Sequence, residues 1–457
     1  MSLEQAHRLE HEKIPQLLLR FSIPSTVATV VHGTYNVVDR IFVGKAVGEE
    51  ALAALAVAMP VMMIMMAFGM MFGRGGSALI SIHMGEKRFD KAERVLGTGL
   101  LLFCILSFLF TCFGLIYIDP LLRIFGANDA IMPMAREYLS IILWGSLFHE
   151  ISFGVNNYIR SEGNAKTAMM TAFFAAGLNV VLDPIFLFVF NMGVAGVAWA
   201  TIIAQFASAV WVMLYYFGGK SLLRFHLKNL VLDMQLAGRI IFVGSPPFLM
   251  NVCGCVSLAI LNNQLQKFGG IRAIAVMSVI FTVMSVVYMP LVGIAQGAQP
   301  IFGYNLGAAR YDRVRSTLRL TLTVASILCM GVFIFVETFP NLIFALFERD
   351  QSGLMRDGAY ACRYFVMLLP LVGTIFVSTN YFQAINKPVE SIVLSLVRQS
   401  ISVLSVLILP FWFGLDGIWI SEPASTAIAF AVAVIMLLVE QKKLNNRQLE
   451  LELPAKA

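Results

Sequence analysis

The chain has 457 residues, of which 58% are hydrophobic and 13% charged, and its mean hydropathy is +0.79. Soluble domains carry about 25% charged residues, so this composition excludes a soluble globular protein and implies a membrane protein. The formal charge of +6 does not point to nucleic acid, because the basic residues are scattered over short connecting segments and form no stripe.

Residues 1–16 are polar and mixed in charge, and no short apolar core ending in a small-residue cleavage site follows them. The first apolar run is therefore expected to be retained as a helix. Runs of about 20 apolar residues, enough to cross a bilayer, occur near 17–43, 51–82, 95–118, 137–159, 167–190 and 194–217. Six more lie near 238–265, 273–303, 317–339, 359–382, 390–412 and 417–439. The expected fold is an all-α polytopic membrane protein of twelve helices. Its layout is a segment 1–16, a six-helix bundle 17–220, a linker 221–237, a second bundle 238–440 and a tail 441–457. Lys87, Arg88, Lys91, Arg94, Arg310, Arg313, Arg315, Arg319, Lys442 and Lys443 cluster on one side of this layout, which predicts cytoplasmic termini in a cell-membrane protein.

In the first span, Ser25, Thr29, His32, Asn36 and Asp39 recur at helical spacing, with Tyr35 beside them. Pro24 removes a backbone hydrogen bond below that stripe and permits a bend. A carboxylate inside a membrane helix costs roughly 2.5–3.5 kcal/mol on insertion scales, so Asp39 should face a cavity or a partner. Asn179 and Asp183 share a face of the fifth span, and Thr201, Gln205 and Ser208 one of the sixth. Helix rise puts Asp39 about 7 Å, Asp183 about 10 Å and Thr201 about 10 Å below the outer ends of their spans. The three levels match, which predicts a shared cation site. Among the histidines His32 stands out, one turn from Tyr35 and Asn36, a buried histidine satisfied by its neighbours being the plainer alternative. Met66 belongs to a methionine stripe with Met59, Met62, Met63 and Met70 on the second span, a composition suited to promiscuous apolar surfaces or equally to lipid contact.

The two halves repeat. Gly48, Ala51, Gly75, Gly85, Arg88 and Asp90 match Gly270, Ala273, Gly297, Gly307, Arg310 and Asp312 at a constant offset of 222 residues, which Pro24 and Pro246 share. Six spans per half give both halves one orientation, so the bundles should be related by a pseudo-two-fold axis along the membrane normal, with substrate between them. Asp39 falls opposite Leu261 and Asp183 opposite Val406, so the second bundle copies neither acid.

The chain resembles the multidrug and toxic compound extrusion (MATE) transporters in Tyr35-Asn36-Val37-Val38-Asp39, in Leu178 to Phe186 and in Gly196 to Thr201. The resemblance implies a V-shaped cleft and antiport of small lipophilic or cationic drugs against an inward H+ or Na+ gradient, by a functional monomer in the lipid bilayer without enzymatic activity, cofactor or nucleic acid. By motif position it suggests Asp39, Asn179, Asp183 and Thr201 as ion-coupling residues, Tyr35, His32, Asn36, Tyr138, Gln205 and Met66 as substrate-binding or supporting residues, and Pro24 as the helix bend. One branch of the family carries acids in the seventh and tenth spans, where this chain has Asn262, Asn263, Gln264, Asn380 and Gln383. It is closer in this to the branch with DNA-damage-inducible and archaeal members. Glu422, which aligns with Thr201, is a secondary candidate for coupling, against helix-entry capping before Pro423. The alternative function is a lipid-linked oligosaccharide flippase of the same superfamily, which needs cationic residues in its cavity; Arg74 and Arg398 are the basic residues expected inside spans.

Overall fold

The computed structural model describes residues 8–219, 221–339 and 354–452. Among these, nine helices are long and apolar enough to cross a membrane, and two bent pairs each make a further span. The 74-residue helix Met234–Gly307 doubles back at Gly270, where φ is 64°, and supplies two spans. The first bundle is thus α1 (Ile14–Ala46), α2 (Glu49–Gly85), α3 (Phe89–Ile116), the bent pair α4 (Met132–Trp144 and Ser146–Ser161), α5 (Ala165–Val189) and α6 (Gly193–Phe217). The second is α7 (234–269), α8 (271–307), α9 (Tyr311–Thr338), the bent pair α10 (Gly358–Val366 and Leu369–Ala384), α11 (Pro388–Phe413) and α12 (Leu415–Glu452). Gly48 and Gly270, partners in the repeat, both have positive φ. Each turns its bundle's first helix into its second, a conformation in which a Cβ would be strained.

The repeat also shapes the seam between the bundles. A Cβ added at Gly85 would stand 2.0 Å from the carbonyl oxygen of Tyr304, and one added at Gly307 would stand 2.0 Å from that of Ile82. Gly75 accepts the backbone of Ile240 and Gly244, and Gly297 accepts the backbone of Phe21 and Ser22. Ile82 and Tyr304 are themselves repeat partners, as are Ser22 and Gly244. Each contact therefore recurs with the bundles exchanged, which is the signature of an isologous two-fold interface. Without glycine the helix backbones could not approach so closely. The seam occupies the half of the molecule on the side of the amino terminus, called here the near side. Leu9, Glu10 and Glu12 strap that side of the second bundle, their carbonyls accepting from Arg310 and Arg313.

The connection between the bundles is pinned to the first. Glu162, in the turn between α4 and α5 and fully buried, accepts hydrogen bonds from Ser221 Oγ at 2.5 Å, Leu222 N at 3.2 Å and Tyr215 Oη at 3.4 Å. Loss of hydration outweighs these donors and raises its carboxyl to about 7. A group raised on folding stabilises most below its ordinary range and loses that contribution as pH climbs through its folded value. Docking of residues 221–233 is therefore expected to loosen as pH rises through about 7, seen as falling protection from hydrogen exchange in that segment relative to the intrinsic exchange rate at each pH. Glu162→Gln should make that protection insensitive to pH; equal pH dependence of the protection in the variant would refute the assignment.

Candidate functional site

Asp183 is placed by a break in its own helix. Pro184 follows it and cannot donate to the preceding turn, and α5 continues as a π-helical turn over Ile185–Val189. Such turns widen the helix and re-aim the side chains beside them. Asp183 is completely buried and Asn179, one turn earlier, nearly so. Packing of α5 against α1 on one side and α6 on the other brings the remaining groups to it. Asn179 Nδ2 donates to Asp183 Oδ1 at 3.3 Å and to Thr201 Oγ1 at 3.4 Å. The carboxyl groups of Asp39 and Asp183 lie within hydrogen-bonding reach of one another. No protein donor reaches Asp39 Oδ1, Asp183 Oδ2 or Asn179 Oδ1. Buried carboxyl oxygens without donors are costly, and a proton or a cation is what such oxygens can accept.

Tyr138 is buried beside this pair, close enough to interact electrostatically with Asp39, Asp183 and Tyr35, and its hydroxyl points to Met62 Sδ at 3.8 Å. Tyr35 meets His32 edge-on, with ring centroids 5.1 Å apart, and His32 lies 6.2 Å from the ring of Phe153 on α4. Pro24 lies inside α1, which runs unbroken across it. The Asn36 side chain lies outside the described residues. Gln205 and Met66 are half-buried, and no described hydrogen bond ties either to the acids. Within the methionine stripe, Met59 accepts from Arg40, Met62 from Tyr138 and Met70 from Asn251, while Met63 is exposed. Glu422 is drawn elsewhere: Arg398 donates to Glu422 Oε1 at 2.8 Å and to Tyr288 Oη at 3.1 Å.

Three features escaped the sequence reading. Arg40 lies beside Asp39, where its charge acts on the acid. Glu150 is fully buried within α4 with neither carboxyl oxygen hydrogen-bonded, His149 Nδ1 standing 3.5 Å from Oε1; an acid within an apolar run is itself the signal that would have found it. Arg160, one residue beyond the apolar run 137–159, is buried at the end of α4.

Two six-helix bundles joined by a pseudo-two-fold seam, with paired acids inside one of them, define a polytopic membrane transporter built from parallel repeats. The family model MatE matches residues 24–185 and 246–408, one stretch in each bundle and each beginning at the repeated proline. The chain belongs to this family. It is 24% identical to the multidrug export protein MepA of Staphylococcus aureus (strain NCTC 8325 / PS 47), over 97% of this chain and 98% of that protein. Among solved structures it resembles the outward-facing conformation of a multidrug resistance MATE family transporter of the MOP superfamily, with TM-score 0.90 and 25% identity, covering 96% of this chain and 98% of that one. A MATE structure in the bent conformation matches with TM-score 0.91 and 25% identity, over 97% and 98% of the two chains.

Proposed function

We propose that this protein exports lipophilic and cationic drugs by alternating access, driven by H+ (or Na+) entering the cell, with the near side cytoplasmic. The observation that carries the reading is the contact of Asp39 with Asp183 beside Asn179 and Thr201, together with their three oxygens that lack donors. Two carboxyls in contact within a low-dielectric site do not both stay ionised, so the pair holds a shared proton that it can exchange. Sodium would instead need several of the same oxygens at once. Multidrug export by the similar MepA supports the choice of cargo.

In the cycle, the glycine seam closes the near side while the cleft faces outward. Ion binding to the acid pair favours that state and drug release from it, and α1 changes shape at Pro24 as the bundles exchange access. His32 and Tyr35 supply a route along α1 toward the pair. Expression in a host lacking its own pumps should raise tolerance to ethidium and related cationic dyes by several fold. Unchanged tolerance, with loss of a cell-envelope polymer on deletion, would favour the flippase instead.

A further inference from the structure

Arg74 and Arg160 are buried, at 8% and 7% exposure, and near enough for their charges to repel. Glycine brings them together: Gly73 and Gly76 let α2 lie against Asn157 and Tyr158 of α4, and Tyr158 Oη donates to the carbonyl of Phe72 at 3.0 Å. Among the described residues neither guanidinium has a carboxylate partner. Arg74 donates to Asn380 Oδ1 at 3.2 Å. Arg160 donates to Gln296 Oε1 at 2.6 Å, to Asn157 Oδ1 at 3.3 Å and to Asn156 Oδ1 at 3.2 Å, and its Nε has no partner. Arg398, half-buried, is paired in the ordinary way, with Glu422 against it. Amide dipoles satisfy donors but cancel no charge, so two adjacent guanidinium groups without an anion are an expensive arrangement to keep.

The caps come from the other bundle. Arg74 and Arg160 belong to α2 and α4, whereas Asn380 belongs to α10 and Gln296 to α8. When the near side opens, Asn380 and Gln296 leave with the second bundle and uncover two neighbouring guanidinium forks on the wall of the first. We propose that Arg74 and Arg160 form a binding site for the anionic head group, phosphate or carboxylate, of an amphiphilic substrate, exposed when the near side is open and covered by the amides of Asn380 and Gln296 when it is closed. Planar guanidinium groups match such oxyanions geometrically. The site broadens the cargo from cationic compounds to amphiphiles that carry an anion, and it gives Arg74 a role that its glycine-rich setting conceals. It rests on the alternating-access reading above, since the caps part only if the bundles do.

The test is equilibrium binding to the purified full chain in maltoside micelles, with dodecyl phosphate, dodecyltrimethylammonium and inorganic phosphate as probes. Dodecyl phosphate should bind, Arg74→Gln and Arg160→Gln should each weaken it by about tenfold or more, and the Lys variants should recover part of the loss. Asn380→Ala and Gln296→Ala should tighten it, because the competing caps are gone, and this sign separates a binding site from a mere brace. Dodecyltrimethylammonium binding should be unaffected by the arginine variants. Absence of dodecyl phosphate binding, equal affinity in the Gln variants, or weakening by the Ala variants would overturn the proposal. Inorganic phosphate binding as tightly as dodecyl phosphate would overturn its amphiphilic part. The assay needs no gradient, so a failure here with dye export intact counts against this site alone, and a failure of export with binding intact counts against the coupling reading alone.

Discussion

Asp183→Asn is expected to abolish gradient-driven dye export, by about a hundredfold or more, while the protein inserts, folds and melts no lower than the parent. The charge is removed at nearly constant size, and Asn179 keeps a neighbouring acceptor. The new amide also brings a donor to a cluster in which Asp39 Oδ1 and Asn179 Oδ1 have none, so a costly set of unsatisfied oxygens is relieved even as the exchangeable site is lost. Function and stability should therefore move apart, as is common where a strained or charged site serves activity. Nothing in the second bundle takes over, because the matching position is Val406, which is buried. Export assays on vesicles paired with thermal unfolding in detergent check both halves. Normal export would sink the coupling assignment; loss of export together with a large fall in melting temperature would reassign Asp183 to structure.

The second large effect concerns Asp39 and the identity of the ion. If the pair shares a proton, export should persist in sodium-free medium, collapse with a protonophore, and be abolished by Asp39→Asn. A neutral carboxyl needs one donor and one acceptor, whereas sodium takes several oxygens at once. The geometry offers Asp39, Asp183, Asn179 and Thr201 to either. His32 and Tyr35, in edge-on contact with each other on the helix that carries Asp39, are the reason for preferring the proton, since both side chains can bind and release one. Reconstituted vesicles with one gradient imposed at a time decide the matter: drug movement driven by sodium alone, with pH clamped on both sides, would overturn the proton reading.

What could be read from the sequence by itself is what depends on local periodicity. Hydropathy marks a span wherever about 20 apolar residues run together, so the twelve helices were legible, including the pair folded at Gly270. A repeated glycine pattern survives in the chain whatever it touches, which made the two bundles visible. Helix rise is nearly constant, so the common level of Asp39, Asp183 and Thr201 followed from counting residues to the span ends. The partners at that level did not follow. Asp39 meets Asp183 because α5 packs between α1 and α6. Glu422 turns to Arg398, 24 positions away, and Arg74 is capped by Asn380, 306 positions away. These pairings depend on which helix faces lie together, and apolar faces in a membrane are nearly interchangeable: lipid tails satisfy them as well as another helix does, so hydropathy alone leaves helix rotation open. The glycine seam resolves it. Close backbone approach at Gly75, Gly85, Gly297 and Gly307 fixes which helix faces meet in this closed state, and the buried polar groups reach only the partners that this arrangement leaves beside them.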